Sequence, residues 1–276
     1  MKRPVRKSTI IMTIFFLTGF ALVLFPFVSN QINDYMNNQL VDYYQKQANK
    51  ENEQQVAAAK EAWDKKNQER SAASALNDPF KKTEKQVKPE KSYFQEHTIA
   101  YLDIPKINSK LPVFDGTNDF LLEKGAGLLE GSSFLSGGPG THAVISAHRG
   151  LPTAKLFTDL PKLVKGDLFI ITVNNEKHAY EVEHINIIEP DDTQELEIIP
   201  GKDYVTLFTC TPYMVNTHRL LVRGKRVAYT EEMKKQIDQS DQKRKWENWK
   251  IIFSIIAGVG VLIYSIKKIV SIKNKK

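Results

Sequence analysis

Hydrophobic and polar positions divide the chain into three kinds of pattern. From Ile10 to Val28 no residue is charged and most are apolar. At about 1.5 Å per helical residue such a run nearly crosses a hydrocarbon core of roughly 30 Å, which predicts a membrane helix. A second apolar run, Ile251 to Ile266, is shorter. It is extended by Ile269, Val270 and Ile272, Lys267 and Lys268 can reach the interface, and Trp246 and Trp249 precede it as anchors. A cleaved signal peptide is the alternative for the first run, but bulky Phe25, Pro26, Phe27 and Val28 stand where a small-residue cleavage site belongs, so an uncleaved anchor is expected. A buried core helix is the alternative for the second, opposed by the basic tail that follows it at once.

Between the two runs the pattern changes twice. From Phe27 to Asn77 there is neither glycine nor proline, and "QKQANKENEQQVAAAKEAWDKK" is rich in helix formers, which predicts a long helix rising from the membrane with Val56 and Trp63 as its contacts. A partly disordered spacer is the other reading of that composition. Pro79 then breaks the helix in "LNDPFKKTEKQVKPEKS", a charged loop holding one aromatic, Phe80. From Thr98 to Tyr229 short β-branched and aromatic runs alternate with turns: "TIAYLDIP", "THAVISAH", "LFIITV", "HAYEVEHINII", "YVTLFTC" and "RLLVRGKRVAY". Asn174 and Asn175 offer a hairpin turn. That many strands in one domain imply a closed or nearly closed, mainly β barrel. "TAKLFTDLPKLV" is the one stretch inside it with helical spacing.

The net charge of +7 changes this picture little once it is placed. Lys2, Arg3, Arg6 and Lys7 lie at one end, Lys267, Lys268, Lys273, Lys275 and Lys276 at the other, and what remains is slightly acidic. A phosphate-binding surface is not expected from such a distribution, so no nucleic-acid partner is assigned. Cations at both outer flanks predict cytoplasmic termini and an extracytoplasmic domain between two crossings, at the cell membrane. The six histidines are scattered and there is a single cysteine, so no metal or other cofactor is called for.

That cysteine, Cys210, ends the run "TLFTC". A thiol in an oxidising compartment is either buried and inert or kept free for chemistry. As a nucleophile it needs a base or cation and a donor for the oxyanion of a tetrahedral intermediate. Arg219 supplies a donor that stays charged and therefore cannot act as the base. His148 in "AHRG" is a candidate base, as are His142 and His218, and spacing does not choose among them.

"TLFTCTPYMVNTHRLLVRGKRV" resembles the sortases, whose TLxTC signature is matched by Thr206, Leu207, Thr209 and Cys210. "TCTPY", "VNTHRLLVRG" and "AHRGLPTAKLFTDLPKL" are similar to the class C, pilin-polymerising branch, over about Tyr93 to Val227. The resemblance implies a closed eight-stranded β-barrel with short helices, a Cys210 nucleophile, a His148 acid/base, and Arg219 stabilising the oxyanion and holding substrate backbone beside Thr209. "NDPF" is similar to the lid of that branch, with Asp78 pairing Arg219, Pro79 shaping the turn and Phe80 covering Cys210. Met214 departs from the pattern, standing where the branch carries a glycine.

The implied reaction cuts an LPxTG-type sorting signal of a pilin between Thr and Gly, holds the acyl half as a thioester, and passes it to a lysine of the next pilin. The expected organisation is a tail and membrane segment over 1–29, a juxtamembrane helix and lid loop over 30–92, the barrel over 93–230, a linker helix over 231–250, and a membrane helix with a basic tail over 251–276. Two alternatives stay open: a housekeeping sortase that anchors proteins to peptidoglycan, and a non-catalytic, membrane-tethered assembly module whose Cys210 is only packing. A thiol protease of the CGSCW or QACxG kind is not matched.

Overall fold

A computed structural model describes residues 7–46, 50–69, 76–80 and 91–275. Its centre is a closed barrel of eight strands: β1 (Thr98–Ile104), β2 (Ser109–Phe114), β3 (Ala126–Leu128), β4 (Thr141–Ser146), β5 (Leu168–Val173), β6 (Glu176–Ile188), β7 (Asp203–Thr211) and β8 (His218–Val227). They follow one another round the barrel as β1-β2-β3-β4-β7-β8-β6-β5, and β5 closes onto β1. The pairs β2–β3 and β4–β7 are parallel and the others antiparallel. The six strand runs of the sequence are all present. The β5–β6 turn is made by Asn174 and Asn175 at φ 47 and 66, the left-handed geometry that a two-residue hairpin requires.

Side chains alternate between the two faces of each strand, and this alternation separates core from site. Val205 and Leu207 of β7, Leu220 and Val222 of β8, and Ala143 and Ile145 of β4 point into the barrel, where they pack with Leu102, Phe157, Phe169 and Tyr180. Their sequence neighbours Phe208, Leu221 and Val144 point outward and form a second apolar cluster with Leu129, Ile188 and Leu196. Gly224 lets β8 approach the core closely, since a Cβ there would lie 2.6 Å from the Phe169 ring.

Three helices flank the barrel: α1 (Lys7–Lys46), α2 (Lys50–Glu69) and, at the other end, α5 (Glu231–Lys275); α3 (Lys91–Glu96) and α4 (Asp119–Leu122) are short. Both terminal helices run without a break through the boundaries expected near residues 30 and 250. Among the described residues no helix is long and apolar enough to cross a membrane, so the two expected membrane helices are not found there. Within the described part of the first run Phe15, Phe16, Leu22 and Val23 are exposed, as are Phe253 and Ile256 in the second. Trp63 of α2 docks on the barrel, 4% exposed, its indole N–H donating to the Ser132 carbonyl at 2.8 Å. Asn67 takes the same carbonyl and accepts from the Gly131 N–H, so α2 is held just upstream of the "NDPF" segment. The side chain of Val56, the other expected contact, lies outside the described residues.

The stretch "TAKLFTDLPKLV" is not an α-helix, contrary to its spacing. It forms turns and one 3-10 turn, Leu160–Lys162. Pro161 removes a donor, and Leu156 sits at φ 40, outside helical geometry. Its apolar residues Ala154, Leu156, Phe157, Leu160 and Leu163 are nonetheless buried, so the periodicity reported burial rather than conformation.

Candidate active site

Two strand registers bring the chemistry together. Cys210 near the end of β7 is paired directly with Arg219 near the start of β8, both on the outward face. On the other side β7 runs parallel to β4 in a register that joins Ser146 to Phe208. The same separation of 62 residues continues beyond β4 in two side-chain bonds: the Thr209 hydroxyl donates to the Ala147 carbonyl at 2.7 Å, and Arg149 donates to the Thr211 hydroxyl at 3.0 Å. His148 lies between them and so falls level with Cys210. The register also decides among the histidines. His142 is fully buried lower on β4, its nitrogens engaged by the Glu197 carbonyl and the Thr206 hydroxyl. His218 neighbours Arg219 in sequence, so it takes the opposite face, where it lies 3.2 Å from Glu189.

The segment Leu76–Phe80 covers this groove. Asp78, 8% exposed, takes a bidentate pair of bonds from Arg219, Nε to Oδ1 at 2.9 Å and Nη2 to Oδ2 at 2.5 Å. Arg219 Nη1 donates to the carbonyls of Asn216 and His218, so the guanidinium is fixed on all sides. The Phe80 ring lies 5.2 Å from the His148 ring, stacks on Phe208 at 6.1 Å and lies 5.5 Å from the Arg219 guanidinium. The Phe80 N–H bonds back to Asp78 across Pro79, which fixes the turn joining the two contacts. Phe80 and Leu76 pack against the outer apolar cluster, so the cover has an ionic end and an apolar end.

Burial beneath this cover sets the ionisation of the site. The Cys210 thiol is pushed up to about 11, chiefly by burial, with the Asp78 carboxylate adding and Arg219 opposing. The His148 imidazole is pushed down, again chiefly by burial, while Asp119 and Glu123 at the two ends of α4 pull the other way. For Arg219 burial works against the charge, but the bonds to Asp78 together with the nearby Cys210, Asp78 and Asp191 charges outweigh it and its pKa goes up. The covered site at neutral pH therefore holds a neutral thiol, a neutral imidazole and a neutralised guanidinium. A thiol in that state is not the thiolate that nucleophilic acyl transfer needs.

The family model described as Sortase domain matches residues 102–227. Sortase D of Bacillus subtilis (strain 168) is 32% identical over 182 residues, which is 65% of this chain and 86% of that protein. The chain belongs to the sortase family. As a sortase it is a cysteine transpeptidase, and the solved structures it resembles include class C sortases. Sortase C-1 of Streptococcus pneumoniae is 42% identical with a TM-score of 0.60, covering 70% of this chain and 100% of that one. The pilus-related sortase C of Group B Streptococcus is 40% identical with a TM-score of 0.58, covering 69% and 97%.

Within this sortase one residue is placed differently from the sequence reading. Thr209, expected beside the substrate, is fully buried on the inner face with its hydroxyl committed to Ala147, so it frames the site rather than lining the groove. Sequence reasoning passed over Phe208, the variable position of TLxTC, although its alternation with Cys210 places it on the outward face under Phe80. Met214 occupies φ 60, the left-handed geometry that makes glycine the expected residue there.

Proposed function

We propose that this sortase is a membrane-anchored pilin polymerase. Cys210 passes its thiol proton to His148 and attacks the Thr–Gly carbonyl of an LPxTG-type signal: the S–C bond forms, the C–N bond breaks, and His148 hands that proton to the leaving glycine amine. Arg219 stabilises the oxyanion and holds substrate backbone. The ε-amine of a lysine on the next pilin then attacks the thioester, His148 takes its proton, and an isopeptide bond replaces the thioester while Cys210 returns. Asp78, Pro79 and Phe80 are the lid. The observation that carries this reading is the lid itself: one short segment contacts His148 and neutralises Arg219, a guard suited to an enzyme whose thioester must wait for a protein amine rather than water. Membrane anchoring is supported by the uncovered apolar residues of α1 and α5, and the cations at both outer flanks favour a barrel outside the cell.

The test incubates the membrane-extracted full chain with an LPxTG-type peptide and a lysine-bearing pilin domain. The expected product is an isopeptide-linked conjugate joined through the threonine carbonyl. Transfer only to a peptidoglycan cross-bridge amine, with none to the pilin lysine, would favour a housekeeping anchoring role instead.

A further inference from the structure

The backbone ladder between β4 and β7 ends at the Ser146–Phe208 pair, and the Ala147 N–H to Phe208 carbonyl bond at 3.2 Å follows it. His148 therefore lies past the last backbone tie between β4 and β7, although its own carbonyl accepts from the Phe157 N–H at 3.1 Å on the other side. Two side-chain bonds continue the connection, Thr209 to Ala147 just before the Cys210–His148 level and Arg149 to Thr211 just after it. Thr211 is 8% exposed and alternates with Cys210, so Arg149 reaches the strand from the face opposite the groove.

Arg149 does more than bridge to Thr211. Its guanidinium lies 5.7 Å from the Tyr213 ring centroid, and that ring presses on Gly150, where a Cβ would come within 3.2 Å of it and φ is +85. His148, Arg149 and Gly150 are thereby laced to Thr211, Tyr213 and Met214. Among the described residues the buried Arg149 Nε has no hydrogen-bond partner, so the guanidinium keeps its place through the Thr211 bond and the aromatic contact alone. An arginine suits this task because its planar fork can donate to a hydroxyl while lying flat over a ring, a geometry that a lysine ammonium reproduces only in part.

We infer that Arg149, acting through Thr211 and Tyr213, is a positioning residue that holds His148 level with Cys210 where the β4–β7 ladder has run out. It does not touch the reacting atoms. The inference rests on the assignment of Cys210 and His148 to the reaction. Misplacement of an acid/base by about 1 Å lowers turnover by about 100-fold without weakening binding, which sets the size of the expected effect.

The experiment uses the full chain carrying Asp78→Ala, so that lid opening is common to all variants, and measures kcat and KM for LPxTG-type peptide cleavage together with Tm. Arg149→Met is expected to lower kcat by about 10- to 100-fold with KM within about twofold and Tm close to the parent. Thr211→Val should fall in the same direction. The double variant should be no worse than the weaker single, because both break one connection. Arg149→Lys should recover part of the loss. Unchanged kcat in Arg149→Met, or losses that multiply in the double variant, would overturn the inference. Should Arg149→Met not fold, the isosteric Thr211→Val decides, and normal turnover there overturns it equally. A Cys210→Ala chain that still forms an acyl adduct overturns the catalytic assignment instead; an inactive Cys210→Ala beside a fully active Arg149→Met overturns only the positioning role.

Discussion

Exchange of Cys210 for alanine is expected to eliminate the acyl adduct with an LPxTG-type peptide, lowering turnover by on the order of 10⁴-fold or more. In the proposed reaction the thiolate forms the bond that conserves the free energy of the broken amide, and neither His148 nor Arg219 can replace it. Serine in its place should fare little better, because a hydroxyl needs far stronger activation than a thiol to attack at neutral pH. Intact mass measurement reads the result directly: the parent gains the mass of the acyl fragment and Cys210→Ala gains none. The fold should survive. Cys210 is only 5% exposed, but removing one buried sulfur costs about 1 kcal/mol, a shift in Tm of about 2–4 °C. An adduct of full yield on the alanine variant would remove the nucleophile from the proposal, and with it the roles of the two residues that converge on it.

Much of this site was legible before any coordinates, but for two different reasons. Cys210, His148 and Arg219 stand in recognisable motifs and Asp78 and Phe80 in "NDPF", and the structure brings their side chains to one groove, whereas spacing alone leaves His142 and His218 open. The choice among histidines is a matter of register. Only when β4 is known to run parallel to β7, with Ser146 against Phe208, does His148 come level with Cys210 while His142 drops into the wall. Parallel neighbours are joined by long connections, so their pairing leaves no local trace.

The strands show the same division. Six runs declared themselves through β-branched and aromatic residues, whereas β2 and β3 did not. Pro112 interrupts β2, and β3 is three residues long, "AGL", recognisable only by the neighbours it bridges. A signature gives residue types without faces, so TLxTC does not say that Thr209 is buried. Its neighbours Val205 and Leu207 point into the core, and period-two alternation carries Thr209 inward with them. The apolar spacing of "TAKLFTDLPKLV" likewise marked what is buried but not the backbone path, which Pro161 turned away from a helix.

Opening the lid by Asp78→Ala is expected to make Cys210 about tenfold more reactive toward a thiol reagent at pH 7, from ionisation alone. Under the closed lid the thiol sits at about 11, raised from 9.0. Return to the lower value raises the thiolate fraction at pH 7 from about 10⁻⁴ to about 10⁻². The less basic thiolate is also a poorer nucleophile, which takes back about tenfold. Gain in access adds to the remainder. Phe80→Ala should act more through access than ionisation, since Asp78 still holds Arg219. The pH dependence follows in sign: the closed state raises the thiol pKa, so closure is undiminished below about pH 9 and is progressively weakened as pH rises toward 11. Parent and variant should therefore differ most at neutral pH and converge over that window, with the variant's alkylation curve lying at lower pH. Equal rates and equal midpoints would mean that the lid does not control the thiol. Asp78→Asn, which keeps the shape and loses the charge, should fall between them. In the proposed mechanism the Asp78 carboxylate and a developing oxyanion compete for one guanidinium, so a motion that uncovers Cys210 would also free Arg219 for the transition state.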